Sequence, residues 1–262
     1  MDKDKIISLS QKAFGICIVA MGIQQLAYGN ISPNFVPLDY SPNIIYRALA
    51  YPWGIVFTLT GFAYLLNKKV YEVALISGGV FLTLFLLGYL PFLLFFSDKG
   101  RVFMQWAPSM QTLSFTGASF IMAASCRREG SHSNVAVKFL EKLMPYGGFF
   151  FSVMLIDYGL LHFVYIQGVS TMVPSWMPFH YFWTYLTGTA LIGAGLAIIF
   201  KFKLKLVATL LGLMIFLWLL MLHIPRAIAD PLVMGGLELT RVFVTIGFTG
   251  ISFLLAYSEK EK

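Results

Sequence analysis

The sequence predicts an all-α membrane protein: eight transmembrane helices arranged as two parallel four-helix repeats, with both termini cytoplasmic. Three observations lead there. Apolar runs of bilayer-spanning length follow one another along the chain. Lysine and arginine are concentrated in alternate turns. Glycines and prolines of the first half recur in the second at fixed spacing.

The apolar runs set the class. Of 262 residues, 58% are hydrophobic and 12% are charged, whereas a soluble domain carries about 25% charged residues. So few charges cannot cover a globule, and several runs reach the roughly 20 residues that a helix needs to cross hydrocarbon. A net charge of +7 with a pI of 9.3 would also suit nucleic acid. The basic residues, however, sit in short turns between apolar runs, as membrane topology requires. No nucleic-acid-binding motif accompanies them. The expected partner is the lipid bilayer, with no nucleic acid.

Residues 1–12 are basic and lead into a first apolar run over 13–28. That layout resembles a signal peptide, but the repeat described below makes it a retained helix. The 30–45 loop holds Pro33, Pro37 and Pro42 and no Lys or Arg. Helices follow over 46–66, 71–95 and 103–124. Residues 126–142 form the long polar stretch, a connector rich in Gly, Ser, His and Asn. Within it, 135–144 reads as a short interfacial amphipathic helix. Four more helices are predicted over 147–167, 181–200, 206–223 and 237–257. The domains are then a first repeat over 1–125, a cytoplasmic connector over 126–145 and a second repeat over 146–262.

Charge fixes the orientation. With the N-terminus inside, all but five of the 19 Lys and Arg face the cytoplasm. The five outside are Arg47, Lys99, Arg101, Arg226 and Arg241. The opposite topology violates the positive-inside bias.

Phe14, Gly22, Tyr28, Val36 and Pro37 match Phe151, Gly159, Tyr165, Val173 and Pro174 at one constant offset. After a three-residue indel, Tyr51, Gly54, Gly61, Gly78 and Pro91 match Tyr185, Gly188, Gly195, Gly212 and Pro225. Thr116-Gly117-x-Ser119-Phe120 then matches Thr249-Gly250-x-Ser252-Phe253. Apolar composition alone aligns Leu with Val, not Gly with Gly. Four helices per unit start both copies on the same side, so the repeats are parallel. The matched glycines let helix backbones approach where no hydrophobic force drives association.

The ionisable residues gather in the second half. His162 lies near the outer end of the fifth helix, His180 at the outer start of the sixth, and His223 and Arg226 at the outer end of the seventh. Glu238 opens the eighth. Ionisable groups near hydrocarbon face a bundle interior or water. These residues are therefore expected to line a pocket at the outer ends of helices five to eight, beneath a lid carrying Trp176 and Trp183. The aligned first-half positions are Gln25, Tyr46, Tyr89, Phe92 and, near Glu238, Gln105, so the site belongs to the second half. The competing reading is interfacial decoration by His and Trp, with Arg226 capping a helix end. Asp157 is an intramembrane carboxylate, set about 140° around the helix from His162; a site residue and a structural hydrogen bond are both open for it. No H-x-x-x-H spacing supports a metal site, and none is assigned. Cys17 and Cys126 form no C-x-x-C, so neither a disulfide nor a thiol-redox centre is expected.

The order Val173-Pro174-x-Trp176-Met177-Pro178-x-His180-x-Phe182-Trp183, then Thr187-Gly188, Gly195-Leu196-Ala197 and His223-x-Pro225-Arg226, resembles the DoxX family of small integral membrane proteins. The likeness covers roughly residues 149–256 well and the first half weakly. It implies a multi-pass protein of a bacterial cytoplasmic membrane in a redox setting. One relative, DoxD, is a membrane subunit of a thiosulfate:quinone oxidoreductase. The sequence has no haem-attachment motif, flavin fingerprint, iron–sulfur cysteines or nucleotide loop. Two function classes stay open. The first is an accessory subunit that binds a quinone or similar lipophile and supports an oxidoreductase partner subunit. The second is a non-catalytic scaffold or carrier that binds a hydrophobic small molecule. A transporter is a third, for which only Asp157 lies deep enough.

Overall fold

The computed structural model describes residues 2–29, 31, 44–96, 106–126, 134–231 and 236–258, and its secondary structure there is helical. The Val36-Pro37 loop, Gln105, His132 and the Arg127-Arg128 part of the connector lie outside the described residues.

Seven helices, among the described residues, are long and apolar enough to cross a membrane. They include α1 (Lys3–Tyr28), α2 (Ile44–Leu65) and α3 (Val70–Thr83), which runs on through a π-helical turn. The chain continues with α4 (Ala107–Ser125), a short α5 (Val135–Leu143), α6 (Gly147–Val164) and one further turn, α7 (Ile166–Ser170). Then come α8 (His180–Ile199), α9 (Leu204–Trp218), α10 (Ile224–Ala229) and α11 (Leu237–Ser258). The protein is a polytopic helical membrane protein.

The fourth predicted span, α4, is not one of those seven. It is a helix of 19 residues, but Ser109, Thr112, Ser114, Thr116 and Ser119 lower its hydropathy. The reason is its position. Every residue from Thr112 to Ala123 is buried, so protein, not lipid, surrounds it. A helix enclosed by other helices does not need an apolar coat. Three of these hydroxyls bond back to carbonyls of the same helix region: Ser109 Oγ donates to Trp106 O at 2.6 Å, Thr112 Oγ1 to Pro108 O at 3.2 Å and Ser114 Oγ to Gln111 O at 2.6 Å.

Helix order around the bundle follows from close backbone contacts. α1 packs on α2 and α6 on α8; α4 also packs on α6, and α11 on α1. Each seam is made by glycine. A Cβ at Gly22 would sit 2.5 Å from Thr58 N, and one at Gly159 would sit 2.8 Å from Gly188 O. One at Gly117 would sit 2.5 Å from Phe151 N, and one at Gly250 would sit 2.6 Å from Ser10 O. No side chain fits at those distances, and small residues are what allow such approach in a membrane.

At the centre four phenylalanines meet. Phe14 contacts Phe115 with ring centroids 6.5 Å apart, Phe115 contacts Phe248 at 5.7 Å, and Phe248 contacts Phe151 at 5.5 Å. The α4–α11 contact at Phe115 and Phe248 crosses the middle of the molecule.

One end of the bundle is rich in lysine. It holds the start of α1 with Lys3, Lys5 and Lys12, the turns at Asn67–Lys69 and Lys201–Lys203, and α5 with Lys138 and Lys142. Gln11 Nε2 donates to Cys126 Sγ at 2.8 Å, which joins the start of α1 to the end of α4. Tyr71 OH donates to Glu141 Oε1 at 2.6 Å and holds α5 against α3. α5 presents Val135 and Phe139 outward beside Lys138 and Lys142, the layout of an interfacial helix. The opposite end carries Arg47, Arg226 and Arg241.

Candidate functional site

The densest polar cluster lies at that lysine-poor end, where α9 runs into α10 and α11 begins. Pro225 shapes the first element. It has no N–H to donate, and its ring pushes away the preceding turn. The helix widens there into a π-helical turn, Leu219–His223, in which Ile224 N donates to Leu219 O. Such a turn shifts the side chains that follow it around the axis, and π-turns recur at functional sites. His223 closes this turn, and Arg226 follows three residues later on the same face.

Glu238 supplies the negative centre. It sits in the first turn of α11, where the positive end of the helix dipole favours a carboxylate. It is only 5% exposed. Its Oε1 accepts from Arg226 Nη2 at 2.9 Å and from Arg241 Nη1 at 2.6 Å. Its Oε2 is buried and finds no hydrogen-bond partner among the described residues; the same holds for Nδ1 of His223. The charges of Arg241, Glu238 and Arg226 all bear on His223. Among the described residues, one buried acceptor and one imidazole nitrogen thus stay without a partner beside a carboxylate held by two arginines.

The Gln24 amide stands beside this cluster. Gln24 of α1 donates through Nε2 to Gly236 O at 2.8 Å and accepts from Thr240 Oγ1 at 2.7 Å, which ties α1 to the head of α11. Gly236 takes a φ of 81° there, a left-handed conformation that suits glycine. Gln25, 2% exposed, has both amide atoms buried without a partner among the described residues. Tyr158 of α6 donates to Gln111 Oε1 of α4 at 3.3 Å.

The structure brings His223, Arg226 and Glu238 together and adds Arg241. His162 and His180 stand on the α6–α8 pair instead. His162 Nδ1 lies 2.7 Å from Tyr158 O of its own helix, and its Cβ faces Gly188. His180 is half-buried at the head of α8. Asp157 is buried within α6, and its Oδ2 finds no partner among the described residues. In the 173–179 loop, Val173 and Met177 turn inward, while Trp176 is 69% exposed. Trp176 therefore points away from the bundle. Trp183 Nε1 donates to Pro178 O at 3.0 Å and fastens the loop to α8.

The reading from sequence weighed ionisable groups and passed over the amides. The available signal was the occurrence of Gln24, Gln25 and Gln111 in or beside apolar helices, where an amide needs a partner. Among the described residues no group of three or more His, Cys, Asp or Glu stands close enough to hold a metal ion. Comparison with protein-family models, with curated proteins and with solved structures finds no match for this chain.

Proposed function

We propose that this multi-pass protein is DoxX-like, built as two parallel four-helix repeats with both termini in the cytoplasm of a bacterium. In this reading it binds a quinone head group beside Glu238, as an accessory subunit of a membrane redox system. The observation that carries the reading is the Glu238 carboxylate, buried and held on one oxygen by two arginines, with its second oxygen and the nearby His223 Nδ1 open.

A quinol hydroxyl is a donor suited to Glu238 Oε2. A ring carbonyl is an acceptor suited to the protonated ring nitrogen of His223. The arginines offset the charge of a carboxylate beside hydrocarbon, where an unpaired charge is costly. Electron transfer falls to an oxidoreductase partner subunit. The repeat is supported by matched backbone features: glycine seams, left-handed turns at Lys69 and Lys203, and π-helical turns ahead of Pro91 and Pro225. The orientation is supported by the lysine-rich end.

The test is mass spectrometry of lipophiles extracted after purification in mild detergent. A quinone is expected with the wild-type protein and about tenfold less with Glu238→Gln or His223→Ala, as for the loss of one well-made polar contact. Equal retention by both variants, or no quinone with the wild type, would refute the reading.

A further inference from the structure

A second feature lies far from Glu238, between α2 and α3. These helices are joined by the Asn67–Lys69 turn, yet each is drawn to a different neighbour. Gly54 and Gly61 bring α2 against α1, and Gly78 brings α3 onto Phe120 of α4. The two therefore splay, and a cavity of about 170 Å³ opens between them. Its floor is Phe57, Phe81 and Ser77, all buried; its rim is Val56 and Ile76, both exposed.

Ser77 is the small residue of the cavity floor. Position 77 is Ser, where the corresponding residue of α9 is Leu211, buried in the core. The Ser77 hydroxyl donates to Val73 O and lies 2.9 Å from Tyr64 OH. The floor thus offers no unmet polar group, and its occupant is apolar. An apolar cavity of about 150 Å³ accepts a benzene-sized body. This one is open on the side where α2 and α3 face lipid. An unfilled notch in hydrocarbon forfeits dispersion contacts on one side, so a lipid chain enters it.

Charge identifies which lipid. Val73 to Phe81 lies within the first turns of α3, about 5 to 17 Å along the axis from Val70. The cleft is thus in the leaflet at the lysine-rich end, directly beyond Lys68 and Lys69. Both lysines are exposed; Glu72 is the nearby acidic residue in the first turn of α3. We propose that the α2–α3 cleft is a binding site for one anionic phospholipid, with an acyl chain over Ser77 and the headgroup at Lys68 and Lys69. The site is independent of Glu238 and of the quinone reading.

Native mass spectrometry of the full chain, released from vesicles of phosphatidylglycerol and phosphatidylcholine in equal parts, tests this. One phosphatidylglycerol is expected to stay bound in preference to phosphatidylcholine by about thirtyfold, the effect of two lysines at an anionic surface. Lys68→Gln with Lys69→Asn, which keeps a residue tolerant of the left-handed turn, should abolish that preference. Ser77→Leu, which copies the other half of the chain, should remove the bound lipid. Ile76→Trp closes the mouth from the lipid side and gives a second reading should Ser77→Leu fail to fold. Equal retention of the two lipids by the wild type, or undiminished phosphatidylglycerol on a folded Ser77→Leu or Ile76→Trp protein, overturns the proposal.

Discussion

Helices α2 and α3 of the first half and α8 and α9 of the second carry the same backbone irregularities at matching positions. Left-handed residues stand at Asn67 and Lys69 in one and at Lys201 and Lys203 in the other. Phe202 N donates to Ala197 O as Lys68 N does to Ala63 O. A π-helical turn ends at Tyr89 in one and at His223 in the other, each two residues before a proline. The side chains presented by this shared backbone differ. Tyr89 meets Thr112, whereas His223 stands beside two arginines and a carboxylate. Ser77 lines a cleft, whereas the matching Leu211 is buried in the core. The lesson is that glycines, prolines and turn residues specify the scaffold, while the polar inventory at each scaffold position is free to change.

The most drastic way to break this comparison is through the seams. Gly117→Leu and Gly250→Leu each force a side chain into a backbone contact and should cost about 3 kcal/mol or more. Loss of the monodisperse peak in size-exclusion chromatography, with a lowered Tm in detergent, would report it for both. Tolerance at one and collapse at the other would end the equivalence of the seams.

A middle-sized effect should separate the halves. Glu238→Ala leaves Arg226 and Arg241 without their carboxylate. Breaking a buried pair costs about 3–5 kcal/mol, and roughly 2 kcal/mol is expected here because the arginines keep a third of their surface exposed. Tyr89→Phe, at the first-half position matching His223, should cost under about 1 kcal/mol, an ordinary hydrogen bond. Thermal unfolding of the two variants decides it, and equal losses would mean that the Glu238 cluster is no more than structural packing.

The smallest effect sharpens the comparison. Gln24 matches Leu161 in the second half. Gln24→Leu makes the first half resemble the second and removes the bonds to Gly236 and Thr240. A loss of about 0.6 kcal/mol is expected, typical of an interhelical bond in a membrane. A much larger drop in Tm would mark Gln24 as part of a network with Gln25.

Much of the fold was legible because lipid imposes simple demands. The runs over α1, α8 and α9 are apolar since their outer faces meet hydrocarbon, and the Lys68-Lys69 and Lys201–Lys203 turns stop helices where charge must leave the bilayer. α4 was legible as a helix but not as an enclosed one. Hydropathy reports average polarity, whereas enclosure depends on what packs around Thr112 and Phe115. The pairing of Arg226 with Glu238 could be anticipated from their placement at neighbouring helix ends. The contribution of Arg241 could not, because it depends on the rotation of α11. The outward direction of Trp176 had no sequence signal either, since an aperiodic loop carries no face. The π-helical turns were marked only by Pro91 and Pro225, and hydropathy patterns do not count a one-residue widening.

The seam between α1 and α11 has a bearing on biogenesis. Helices emerge from the ribosome in order, and α1 can settle on α2 soon after both enter the membrane. Its other flank, with Ser10 and Cys17, stays against lipid or an insertion chaperone until Gly247 and Gly250 have been made. α1 is thus completed by a helix made much later, and a nascent chain stalled ahead of α11 would expose that flank to quality-control proteases.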